Sequence, residues 1–195
     1  MINKIKQQLR TYGLNGFVGN SFWEIYMRLR WNLLHSFSQG GEDIIIDKLL
    51  KKKRGFYVDI GAYDPTRFSN TKRFYQKGWG GINIEPDPQR IKKFYTERPK
   101  DINLNIGIAD KNISMKFYKF DPQTLSTFSS KTASVYQKQG NKLLGVTKIK
   151  VMKLANVLAK NAKGKKIDFF SIDTEGFDYQ ALKGNNWKKF KPKVI

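Results

Sequence analysis

The chain has 195 residues, no cysteine and a single histidine, His35. Without cysteine there is no disulfide framework, no thiolate metal site and no cysteine nucleophile. With one histidine, a His-based metal cluster or a Ser-His-Asp triad is close to excluded, since only His35 could serve either. No apolar run reaches the roughly 18 residues that a membrane-spanning helix needs. The basic start, Met1 to Lys6, is not followed by an apolar stretch, so no signal peptide is expected and the chain reads as cytoplasmic. Acids are scarce, 16 against 37 Lys and Arg, for a net charge of +21. A charge this large suggests a polyanionic partner. The lysines are scattered, however, and arginine, the bidentate phosphate reader, is rare, so no specific nucleic acid is expected. Abundant Lys, Asn, Ile, Phe and Tyr also fit coding from an A+T-rich genome.

Hydrophobic residues make 39% and aromatics 14% of the chain, which excludes a disordered or fibrous protein. Residues 1–37 read as a helical appendage. Phe22, Ile25, Tyr26, Leu29 and Leu33 recur at helical spacing, with His35 at the end. Such a basic amphipathic helix either packs on the domain or makes peripheral membrane contact. From residue 38 on, strands and helices alternate. A helix is predicted from Glu42 to Lys52, a buried strand over Gly55–Ile60 and a helix over Asn70–Gln76 with Ser69 as N-cap. Gly81–Ile84 is a second strand. Asp87-Pro88 opens a helix with Ile91, Phe94 and Tyr95 as its apolar stripe. Asp101–Ile108 reads as a third strand, with Met115–Phe120 paired to it. Residues 121–146 read as loop-rich with no clear element, and Thr147–Met152 as a short edge strand. Leu154, Val157 and Leu158 mark a helix, Ile167–Ile172 a buried strand, Phe177–Lys183 a helix and Pro192–Ile195 the start of another strand. This order predicts an α/β fold with a mainly parallel sheet flanked by helices.

In open parallel sheets, ligands bind beyond the carboxyl ends of the strands. There the sequence places Asp59, Asp64, Glu85, Asp87, Asp173, Glu175 and Asp178, seven of its 16 acids. A carboxylate ending the second strand, here Glu85, accepts from ribose hydroxyls. The first loop is Gly61-Ala62-Tyr63-Asp64-Pro65, with one glycine and an extra acid. A pyrophosphate needs Gly-x-Gly-x-x-Gly and free backbone N–H groups, so this loop disfavours NAD. It suits S-adenosylmethionine, which carries ribose but no phosphate, and positive charge for a carboxylate to meet. Asp173 and Glu175 are the candidate bases for a hydroxyl acceptor. Asp173, Glu175 and Asp178 together could hold Mg²⁺, but no metal is assigned.

The blocks SQGGEDIII (38–46), GFYVDIGAYDP (55–65), SNTKRFYQKGWGGINIEPDP (69–88), DINLNIGIAD (101–110), LSTF (125–128) and IDFFSIDTEGFDYQALKG (167–184) resemble the FkbM family of S-adenosylmethionine-dependent methyltransferases. The resemblance covers residues 38–195 and implies a Rossmann-like class I methyltransferase fold. That fold continues through two further strands, so the chain is expected to be truncated at the fifth core strand. The implied activity is O-methylation of a hydroxyl on a sugar, glycan or secondary metabolite. By position, Asp59, Gly61, Ala62 and Tyr63 would line the methionine end of the cofactor, Glu85 and Pro86 its ribose, and Asp173 and Glu175 the transferred methyl. The alternatives are an RNA methyltransferase, which the charge favours, and a non-catalytic membrane- or partner-binding fragment.

Overall fold

A hydrophobic run flanked by turns becomes a strand buried on both faces when helices cover each side. Strand β1, Phe56–Ile60, is buried along its whole length. It pairs in parallel with β2 (Gly80–Ile84) and with β7 (Phe169–Ile172), and β2 pairs in parallel with β3 (Ile102–Leu104). The order is β3-β2-β1-β7. Val194 extends the parallel pattern through one bridge to Phe169. The computed structural model describes residues 36–195, within which Phe37–Ile195 forms one compact unit. The expected appendage helix around Phe22–Leu33, and His35, lie outside the described residues.

Alternation along β1 sorts the core. Phe56, Val58 and Ile60 face α5 (Leu154–Asn161) and α6 (Asp178–Lys183), packing with Leu154, Val157, Leu158 and Ala181. Tyr57 faces the opposite way, toward Leu50 of α1 (Glu42–Leu50) and Phe74 of α2 (Lys72–Gln76). Helix α3 (Pro88–Glu97) seats Ile91 and Phe94 on Ala62. Asp87 caps it by accepting from the Gln89 N–H, with Pro88 in the first turn. Tyr95, expected in that apolar stripe, is exposed. It lies about 100° further round the helix than Phe94.

Three expectations are corrected. Asp101–Ile108 is two strands, β3 and β4 (Gly107–Ala109), in different sheets. The break falls at Asn105, whose amide donates to the carbonyls of Glu85 and Pro86 and ends the pairing with β2. Second, β5 (Ile113–Asp121) does not pair with 101–108. It pairs antiparallel with β6 (Lys142–Lys153), which lies between β4 and β5 and is not an edge strand. Exposed lysines and Gly145 hide the alternation in β6, whose inward residues include Ile149 and Val151. Third, the loop-rich reading of 121–146 gives way to defined elements. The segment contains a 3₁₀ turn at Gln123–Leu125 and helix α4 (Ser130–Lys138), capped by Ser129.

Arg98 ties the carboxyl-terminal loops to the sheet. It is fully buried and donates to the Thr71 hydroxyl at 2.7 Å, the Ser69 hydroxyl at 2.7 Å and the Pro65 carbonyl at 3.0 Å. Its charge opposes those of buried Asp59 and the Asp101–Tyr57 pair. Removing it strands buried acceptors and leaves carboxylates uncompensated. Arg98→Met is therefore expected to cost about 3–5 kcal/mol of stability. Urea unfolding checks this; a loss below about 1 kcal/mol would show the network to be dispensable.

Candidate functional site

The site lies where β1, β2 and β7 end. Asp59, one residue before the end of β1, is buried and accepts from the Thr71 hydroxyl at 2.6 Å. Burial pushes its carboxyl up, against the opposing effects of Thr71, Arg98 and the Ser171 hydroxyl. Thus Asp59 faces the polar network beneath the first loop. Gly61 follows with φ of +79°, and a Cβ there would stand 1.9 Å from the Asp173 carbonyl oxygen. The glycine is therefore required by the close approach of the β1 and β7 loops to each other. The N–H groups of Gly61 and Ala62 both donate to the Ile84 carbonyl, at 2.9 and 3.1 Å. Ala62 itself is buried beneath α3.

Glu85, first residue beyond β2, is buried and uses both carboxyl oxygens. Oε2 accepts from the Tyr63 N–H at 2.9 Å and Oε1 from the Asp87 N–H at 2.8 Å. Burial outweighs these bonds and pushes its pKa up to about 7. Each oxygen still has a lone pair to offer. Tyr63 is left-handed, with φ of 56°. The Arg90 guanidinium stacks 3.7 Å from its ring centroid and reaches Gln123 at 2.8 Å. Lys119 pairs with buried Asp87 at 2.9 Å. Arg90, Lys119 and Gln123 were not singled out from sequence, because the 3₁₀ turn and the reach of β5 were not legible there.

Beyond β7 lie Asp173, exposed at the rim, and Glu175, half-buried in the left-handed conformation with φ of 50°. Partial desolvation of its carboxyl, then the nearby Asp178 charge, raise the pKa of Asp173. Glu175 is raised mainly by burial, against the Tyr136 hydroxyl, which donates to its Oε2 at 2.8 Å. Tyr136 belongs to α4, and its own pKa is pushed up to about 12, chiefly by burial. Thr127 donates its hydroxyl to the Glu175 carbonyl at 2.8 Å. Residues 121–146 thus pack directly on the Asp173–Glu175 loop. Asp178 turns instead to Thr174, accepting from its N–H and hydroxyl. Among the described residues no three His, Asp or Glu side chains form a group that could hold a metal ion.

The structure brings Asp59, Gly61, Tyr63, Glu85, Asp173 and Glu175 to one edge of the parallel sheet. Helices cover both faces of that sheet, and acids line its carboxyl end, as in a class I methyltransferase-like α/β fold. A family model for the methyltransferase FkbM domain matches residues 59–195, more than half of the chain, and the chain belongs to that family. It is a methyltransferase by that membership. No curated protein and no solved structure matches it. Among the described residues no helix is long and apolar enough to cross a membrane.

Proposed function

We propose that the protein is an S-adenosylmethionine-dependent O-methyltransferase acting on a hydroxyl of a sugar, glycan or secondary metabolite. The observation that carries the cofactor reading is the donor set at the first two strand ends. The N–H groups of Gly61, Ala62 and Tyr63 are already bonded, so the loop offers no cradle for a phosphate. Glu85 offers carboxyl lone pairs where a ribose would present hydroxyls. These residues fit a nucleoside without phosphates. Gly61 and Tyr63 would line the methionine end and Glu85 with Pro86 the ribose, while Asp59 and Ala62, expected from sequence beside them, are buried beneath the loop and would order it from below.

Bound there, S-adenosylmethionine would supply an electrophilic methyl group on a sulfonium. The protein's task is then alignment and proton transfer. Transfer to a hydroxyl would break the methyl–sulfur bond, leave a neutral thioether and release the hydroxyl proton. Glu175 or Asp173 would take that proton. Their raised pKa values make them stronger bases than carboxylates of ordinary pKa. Tyr136 fixes the rotamer of Glu175, and Thr127 fixes its backbone.

Calorimetric titration tests the cofactor. S-adenosylmethionine is expected to bind with micromolar affinity and NAD not at all. Equal binding of both, or binding of NAD alone, would overturn the reading.

A further inference from the structure

All strands of a parallel sheet enter at one edge and leave at the other, so its two edges can carry different charge. Here they do. The segments leaving β1, β2 and β7, residues 61–66, 85–89 and 173–180, contain six acids and no Lys or Arg. The segments entering the strands read KKKR (51–54), KGKK (163–166) and KKFKPK (188–193), with Lys77 before β2 and Lys100 before β3. Of the acids at this entering edge, Asp101 and Asp168 are both buried and bonded.

The three lysine segments converge on one point. Asp168 pairs with Lys52 at 2.6 Å and accepts at its carbonyl from the Lys193 N–H at 2.8 Å. Lys165 stands 4.8 Å from the ring of Phe56, whose N–H donates to the Asp168 carboxylate. Alongside lies an open depression of about 470 Å³ lined by Lys51, Lys52, Lys53, Lys77 and Asp47. Asp47 is already paired with Arg73 and Lys77. Two exposed apolar side chains flank the lysines. Leu49, 65% exposed, lies at the end of α1, and Trp187, 38% exposed, heads the 188–193 segment.

We infer that the amino edge of the sheet, centred on Asp168, is a docking surface for an anionic lipid bilayer. Close-set cations repel one another unless an extended anionic surface neutralises them. The cations are lysines but for Arg54, and lysine meets a headgroup layer as a point charge, without the fork that reads single phosphates. Leu49 and Trp187 are of the residue types that enter the interfacial layer. The surface is independent of the methyl-transfer reading. It would leave the carboxyl edge facing water, since the five residues of β1 span roughly 17 Å.

Flotation of the full chain with vesicles of phosphatidylcholine and phosphatidylglycerol, in about a two-to-one ratio, tests this. Binding is expected there and not to phosphatidylcholine alone. Each lysine at the surface is worth roughly fivefold in affinity, so reversing Lys53, Lys166, Lys188 and Lys191 to Glu, which removes four cations and adds four anions, should weaken binding at least about 500-fold. All four are exposed, and Lys52 is left in place, so unchanged melting of this variant checks its fold. A control reversing the exposed Lys116, Lys138, Lys148 and Lys150 has the same net charge and should stay within about tenfold of the parent. Equal loss in both variants would show a response to net charge alone and overturn the proposal. So would failure of the folded parent to bind vesicles, or its preference for a nucleic acid over vesicles at equal phosphate.

Discussion

Replacing Glu85 by alanine is expected to weaken S-adenosylmethionine binding by about a hundredfold or more. Hydrogen bonds to a charged group contribute about 1.5–3 kcal/mol each, and a ribose can offer two. Alanine also strands the N–H groups of Tyr63 and Asp87, so part of its effect is loss of loop order. Glu85→Gln keeps the size of the side chain and removes the charge, but its single oxygen can accept from only one of those two N–H groups, so it retains part of the loop order that alanine loses. The pH dependence is diagnostic. With a pKa near 7, Glu85 is half-ionised at neutrality, and hydroxyl donors favour the ionised form. Affinity should rise as pH increases through about 7 in the parent and stay flat in Glu85→Gln. Stability runs the opposite way. The folded pKa lies above the ordinary 4.5, so the carboxyl's contribution is fully present below 4.5 and is lost as pH rises through about 7. Parent affinity that does not vary with pH would remove Glu85 from the ribose role.

Glu175→Gln is expected to lower the rate of methyl transfer by about 10²–10⁴-fold while leaving cofactor affinity within a few fold. The amide keeps the shape of the side chain and still accepts from Tyr136, but it takes no proton. The Tyr136 hydroxyl holds the Glu175 pKa down, so Tyr136→Phe should shift the basic group of the pH–rate profile upward. Both need single-turnover rates once an acceptor is in hand. If Glu175→Gln retains full activity and Asp173→Asn loses it, the proton goes to Asp173. If neither matters, the loop beyond β7 is structural.

The parallel sheet was legible because its central strands are buried on both faces and read as mainly apolar runs, GFYVDI and IDFFSI above all. The acids at their ends were legible for the same reason, since a strand that is well placed also places the residue after it. Three things were not. The chain changes sheet at Asn105 without glycine or proline, through a side-chain amide bonded to two carbonyls far away in sequence. Strand β6 has exposed lysines between its apolar residues and is held by partners on both edges. Helix α4 is polar along most of its length, with Ala133 its one buried residue, so its periodicity is faint. Tyr136 went unnoticed with it. Asp59 shows a different limit, because its position was readable but not that Thr71 and Ser171 face its carboxylate.

Tyr63 and Glu175 face the same rim from different strand ends, and both adopt a backbone conformation that L side chains avoid. Each costs of order 1–3 kcal/mol, so the rim stores energy that the rest of the fold must offset. Glycine or asparagine at either place would relieve that cost. A laboratory selection for heat resistance alone would therefore drift toward those residues at 63 and 175. The hardiest survivors would be the ones that had discarded the ring on which Arg90 stacks and the carboxylate to which Tyr136 donates.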